Sequence, residues 1–275
     1  MAAKGNSYAR TTLLLIFVAN LLPFLGLEVL DWRLPQALYV YWIEIGLFTF
    51  FYAVLVLFAQ KAPRPDERMI DLVTVRVPFV TSRSGPFQPV NWLPPIYSLN
   101  VQYAAGFFLF GLFFWLFSGD LFFVHSDPGF HYNTAESSGV PIDQNLHAIK
   151  RHFTIEALGL AVFLFGIRFL VVCREFFSNR RCERFSAPMI AEIPFRIGLF
   201  WCFLEVFTTI SLPVVVLPLL RDYGIATVTK IWVVTVVLFG KFTMEWASFQ
   251  AGRPASPDGL IHWLTPEVIS DTTIG

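Results

Sequence analysis

Four ionisable residues stand inside otherwise apolar stretches of the chain: Glu44, Glu205, Lys241 and Glu245. A charge at the centre of a bilayer costs roughly 2.5–3.5 kcal/mol on insertion scales, so each must face a partner, a protein interior or water. Lys241 and Glu245 are four apart and share one helix face. Trp201, Glu205, Thr208 and Thr209 form a comparable stripe. A pair between Glu205 and Lys241 is the simplest way to compensate both. Such residues serve either as a structural ion pair that sets helix packing, or as a relay that passes a proton or ion along Glu44, Glu205, Lys241 and Glu245.

A second constellation is rich in imidazole. Four of the five His (His125, His131, His147 and His152) fall between two apolar runs, with Asp120, Asp127, Glu136 and Asp143 among them. His152 and Glu156 have the four-residue spacing that lets two side chains of one helix share a metal. His125 and Asp127 add further ligands, and His131 lies close in sequence. The spacing matches no recognised zinc motif, and a solvated loop is the plain alternative. The expected cofactor is therefore none, unless that loop holds a metal ion. The chain also lacks a Walker A loop, a nucleophile elbow, a zincin helix and a dinucleotide fingerprint. No His falls within an apolar run, which argues against a haem held between helices.

The elements that position these groups follow from composition. Of 275 residues, 55% are hydrophobic and 15% charged, and 31 are Phe. Mean hydropathy is +0.59. Such a chain is too apolar for an ordinary soluble domain. Its zero net charge supplies no basic excess for a nucleic-acid partner. A helix crosses the hydrocarbon core in about 20 mainly apolar residues. Runs of that kind occupy residues 11–27, 37–58, 99–117, 153–172, 195–220 and 225–249. The expected fold is all-α, a polytopic bundle of six transmembrane helices over residues 1–250, followed by a cytoplasmic tail, 251–275. The first run begins like a signal peptide, but Pro23, Gly26 and Glu28 follow with no small-residue cleavage site, so an uncleaved first helix is expected. Asn20 and Pro23 within it free a backbone carbonyl for neighbours, and Pro213 and Pro218 do the same in the fifth run.

Loop charges orient the bundle. Lys and Arg gather on the cytoplasmic side. The first, third and fifth connections hold Arg33, Lys150, Arg151, Arg221 and Lys230. The opposite side holds Lys4, Arg10, Lys61, Arg64, Arg68, Arg76, Arg83, Arg174, Arg180, Arg181, Arg184, Arg196 and Arg253. Both termini are therefore expected in the cytoplasm, with the chain a multi-pass protein of the inner (plasma) membrane. Arg168 is expected to snorkel to the headgroups. The second connection, 59–98, is rich in Pro, and residues 87–96 within it carry the Trp and Phe that favour headgroup depth.

Several residues carry a family likeness. Asn20-Leu21-Leu22-Pro23-Phe24-Leu25-Gly26, then Trp32, then Tyr41-Trp42-Ile43-Glu44 resemble a prokaryotic membrane family, domain of unknown function 6498. That family's last span has a Lys with an acid four residues on, which Lys241 and Glu245 resemble. Two positions depart from it: Gln102 stands before Tyr103 where the family has His, and no His follows Glu245. The resemblance implies the topology and no particular chemistry.

Three functions fit these residues. A transporter- or channel-like protein would use the buried acids and the lysine. A structural or accessory subunit would use the aromatic helices, partnering a membrane protein or a second copy in the lipid bilayer; residues 106–111 and 159–166 offer small surfaces for close approach. A metal-dependent enzyme or sensor would use the external His loop.

Overall fold

The computed structural model describes residues 2–62, 85–124, 150, 153–178 and 180–250. Among the described residues the regular elements are helical, and extended pairing is limited to two isolated bridges, Lys61 with Ser186 and Phe87 with Ile96. Helix α1 spans Ala2–Val29, α2 Leu34–Leu57, α3 Ser98–Val124, α4 Ile155–Cys173, α5 Ala187–Ser211 and α6 Ile225–Gln250. A π-turn, Arg174–Ser178, prolongs α4, and a second, Leu212–Val216, prolongs α5 at Pro213. Proline has no N–H for the i→i−4 ladder, which is one recognised cause of such a break.

Five described stretches are long and apolar enough to cross a membrane: Leu34–Leu57, Ser98–Leu116, Ile155–Ser178, Ala187–Leu219 and Ile225–Ala247, with mean hydropathies of 1.5 to 2.2. Within α1 a shorter apolar helix, Leu14–Val29, accompanies them. Apolar side chains occur all round these helices, and Phe113, Leu170, Phe203, Leu219, Ile231 and Phe239 stand outward. That exterior suits lipid and not water. The ends differ from expectation at two places. Helix α3 continues to Val124, so Asp120 is helical. Helix α5 begins at Ala187, eight residues early, so Arg196 is not a loop cation: it is 5% exposed with its Nη2 2.6 Å from Glu192 Oε1. An (i, i+4) pair cancels both charges inside the helix, which lets the helix start in a stretch that a charge scan assigns to a loop.

Helix starts are capped by local chemistry. Pro35 sits in the first turn of α2, where its missing N–H is harmless, and Arg33 N donates to Gln36 Oε1 at 2.7 Å. In α4 the Ala157 N–H donates to Thr154 Oγ1 at 3.2 Å, an N-cap.

The chain packs as two compact units, and helices α2 to α5 each contribute to both. The first comprises Met1–Ile45, Trp115–Phe165 and Gly198–Arg253. In it α1 lies against α6, with Phe17 stacked on Phe242 at 3.7 Å and Lys230 Nζ 3.3 Å from Glu28. Leu204 of α5 occupies the space that a Cβ on Gly240 of α6 would need. Among the described residues the second unit comprises those within Gly46–Phe114 and Gly166–Ile197. Its core is aromatic: Phe51 meets Phe169 at 4.8 Å, Phe50 meets Phe108 at 5.1 Å and Phe110 meets Phe195 at 5.5 Å. The Arg168 guanidinium carbon sits 4.7 Å over the Phe48 ring. Side chains answer the carbonyls at and just beyond the end of α2: Asn100 Nδ2 donates to the oxygens of Leu57 and Ala59, and Gln60 Nε2 to that of Phe58 and to that of Pro95, before α3. Cys182 lies buried beside this end, its carbonyl accepting from Gln60 N at 2.8 Å. Burial first, and then the Glu183 charge, push its thiol pKa up and keep it protonated.

Candidate functional site

The chemistry of the first unit converges on Lys241. The ammonium is 2% exposed and donates to Glu44 Oε2 at 2.7 Å; Glu44 itself is 1% exposed. Glu245, one turn along α6, places Oε1 3.5 Å from the same nitrogen. The Tyr41 ring centre is 5.5 Å away, within reach of a cation–π contact. One cation therefore lies between two carboxylates from two helices, held tightly by one and loosely by the other. A 2.7 Å distance is that of a charge-assisted hydrogen bond, and an ammonium has three donors to distribute. With all three groups ionised, the trio carries one net negative charge.

The surrounding residues explain the motif in which Glu44 sits. Tyr41 OH donates to the Asn20 carbonyl at 2.5 Å. Pro23 lies in the same helix, and its missing N–H leaves the neighbouring Ala19 carbonyl without its intrahelical donor. Gly26 has no room for a side chain, since Trp32 fills the position of its Cβ. The Gly26 carbonyl also closes the end of α1, accepting from Leu30 N and Trp32 N at 3.1 Å each. The Asn20, Pro23, Gly26, Trp32, Tyr41 and Glu44 pattern is thus one device. It folds the end of α1 back on itself, pins α1 to α2 through Tyr41, and sets Glu44 one turn beyond.

Trp42, between Tyr41 and Glu44, turns to α3. Its Nε1 donates to the Trp115 carbonyl at 2.9 Å, and Trp115 Nε1 donates to the Trp42 carbonyl at 2.8 Å. The two indoles stack with centroids 4.3 Å apart. Gly119 leaves room for this, because a Cβ there would come within 3.1 Å of the Trp42 ring. Each tryptophan takes a carbonyl from the other's helix, a reciprocal clamp that prevents sliding of α2 on α3. Trp115 was not a candidate on sequence grounds. Its only signal was a tryptophan near the end of an apolar run, which ordinarily marks the aromatic belt.

Of the four relay candidates, Glu44, Lys241 and Glu245 are brought together. Among the described residues the carboxylates within ion-pair distance of Lys241 are those of Glu44 and Glu245, not that of Glu205. Glu205 is half-buried on α5, next to the Leu204 that packs on Gly240. Lys241 thus takes its closest carboxylate from α2 rather than α5. Of the imidazole constellation, His125, Asp127, His131 and His152 lie outside the described residues. Glu156 is described: it is exposed in the first turn of α4, where a negative charge favours a helix N-terminus. Among the described residues no group of three His, Cys, Asp or Glu could hold a metal ion.

No curated protein and no solved structure matches the chain. A family model does, over residues 2–196, which takes in α1 to α4, the start of α5 and the whole device around Glu44. On that match the chain belongs to a family of unknown function, DUF6498.

Proposed function

We propose that the chain is a small transporter- or channel-like protein of the inner membrane, in which the Glu44–Lys241–Glu245 trio takes up and releases a proton or small cation. The bundle has six spans in this proposal, α1 being the first, with both termini and the 251–275 tail in the cytoplasm. The observation that carries it is the convergence of two carboxylates from two helices on one buried ammonium, Glu44 at 2.7 Å and Glu245 at 3.5 Å. Ionisable groups at membrane depth are costly and mark proton and ion paths, and a second carboxylate beside the first gives the ammonium an alternative partner when a proton or cation arrives. Glu205 on α5 is the next station for an ion leaving that centre.

Reconstitution tests this. Proteoliposomes with an internal pH dye and an imposed proton or sodium gradient are expected to show flux above protein-free vesicles, and Glu245→Gln is expected to abolish it while the protein still inserts and elutes as one species. Wild-type flux no greater than that of empty vesicles, across proton, sodium and potassium gradients, would sink the proposal. The reciprocal Trp42–Trp115 clamp favours a second function, a rigid accessory subunit. A stable membrane partner that co-purifies, with flux absent, would select it.

A further inference from the structure

The segment between α2 and α3 ends in a compact, uncharged hairpin, and its placement is fixed by backbone bonds. Phe87 and Ile96 form an antiparallel bridge, with N to O distances of 2.8 and 2.7 Å in the two directions. Inside it the Leu93 N–H donates to the Val90 carbonyl at 3.0 Å, and Gln88 Nε2 donates to the carbonyls of Asn91 and Leu93. The hairpin is moored at both sides. Ile96 lies two residues before the start of α3 at Ser98, and the Pro95 carbonyl accepts from Gln60 Nε2, just beyond the end of α2. It is therefore held against the adjoining ends of α2 and α3.

What the hairpin presents is unusual for a loop in water. Residues 85–97 include no Asp, Glu, Lys, Arg or His. Trp92 is 77% exposed at its tip, and Phe87, Val90 and Tyr97 are also exposed. Four prolines, Pro86, Pro89, Pro94 and Pro95, remove backbone donors that would otherwise need water. Trp is the side chain best matched to headgroup depth, with a flat apolar body and one N–H for a phosphate or glycerol oxygen.

We propose that residues 85–97 form an interfacial finger, inserted at the headgroup–acyl boundary of the same bilayer that α2 and α3 cross, with Trp92 as its anchor. The inference rests on α3 being a membrane span, so the test measures both depths. In a variant with Cys173, Cys182 and Cys202 replaced by Ala, an environment-sensitive fluorophore is placed by Trp92→Cys or by Phe113→Cys, the latter on an outward-facing position of α3. The Trp92 label is expected to be quenched more by lipids spin-labelled near the headgroup than by those labelled deep in the acyl chain, and to resist iodide. The Phe113 label is expected to show the reverse depth preference. A Trp92 label open to iodide and untouched by lipid quenchers overturns the finger, as does one shielded from both by protein. A Phe113 label unquenched by the deep probe overturns the span and the finger with it. A parallel measurement avoids cysteine replacement: intrinsic fluorescence of wild type and of Trp92→Phe is compared in lipids brominated near the headgroup. The wild type is expected to lose more emission than the variant, and equal losses count against the proposal.

Discussion

Two buried ion pairs, one in each unit, have nearly the same burial and carry very different information. Glu192 and Arg196 are four residues apart on α5, and the guanidinium reaches one carboxylate oxygen with Nη2 at 2.6 Å and Nε at 3.1 Å. Glu44 and Lys241 are 197 residues apart, on α2 and α6, and meet at 2.7 Å. The first pair forms as soon as one helix winds. It lowers the cost of placing two charges in an apolar stretch and needs no other element. The second can form only when two distant helices stand in correct register, so it specifies the tertiary arrangement. It also brings a third member, Glu245, to within 3.5 Å of the same ammonium. Function is therefore better sought at Lys241, where two helices and two carboxylates converge, than at Arg196.

The largest expected effect breaks the distant pair. Lys241→Met leaves two buried carboxylates without their cation and is expected to cost about 3–5 kcal/mol, the range for removing one partner of a buried pair. The thermal midpoint in detergent reads this directly. The Glu44→Gln, Lys241→Met double variant is expected to recover part of the loss, since one buried carboxylate of the trio, Glu245, remains instead of two. A midpoint for Lys241→Met within error of the wild type would mean that the carboxylates already find other partners, and the contrast with Arg196 would collapse.

Arg196→Gln is the matched perturbation in the second unit and should do less, about 1.5–3 kcal/mol, because what is lost is a charged hydrogen bond within one helix and the remaining amide still reaches Glu192. Comparing the two double-mutant cycles sharpens the point. The α2–α6 cycle should show the larger coupling. If the (i, i+4) cycle equals or exceeds it, long-range register is not what the Lys241 site supplies.

How much of this was legible in the sequence follows the same division between local and distant. Helices α1 to α6 were found because each is a long apolar run, a property of consecutive residues. Their ends were harder wherever a local pair hid a charge: Arg196 read as a loop cation because a composition scan does not see that Glu192 cancels it one turn earlier. At the candidate site, Lys241 and Glu245 were linked correctly by their four-residue spacing. The choice of Glu44 over Glu205 as the third member depends on which helices adjoin α6, and no spacing within one helix encodes that. Trp115 was invisible for the same reason, since its partner Trp42 lies 73 residues away. The Asn20, Pro23, Gly26 and Trp32 pattern was visible as a motif, but its purpose became clear only once Trp32 was seen to fill the place of a Gly26 Cβ.

The smallest effect probes how the Lys241 site is mounted. Tyr41 OH donates to the Asn20 carbonyl while its ring lies 5.5 Å from the Lys241 ammonium. Tyr41→Phe keeps the ring and removes only the hydroxyl, so the cation–π contact survives and the tie to α1 is lost. A neutral hydrogen bond contributes about 0.5–1.5 kcal/mol net, and the loss should lie in that range, toward its upper end because the carbonyl left behind is buried. Ion flux, if present, should persist in this variant, since every member of the charged trio is intact. A fall in flux as deep as that of Glu245→Gln would show that the hydroxyl itself belongs to the path, extending the site from α6 and α2 to the carbonyl beside Pro23. A stability loss with flux preserved would instead confine Tyr41 to holding α2, and hence Glu44, at the distance from Lys241 that the trio requires.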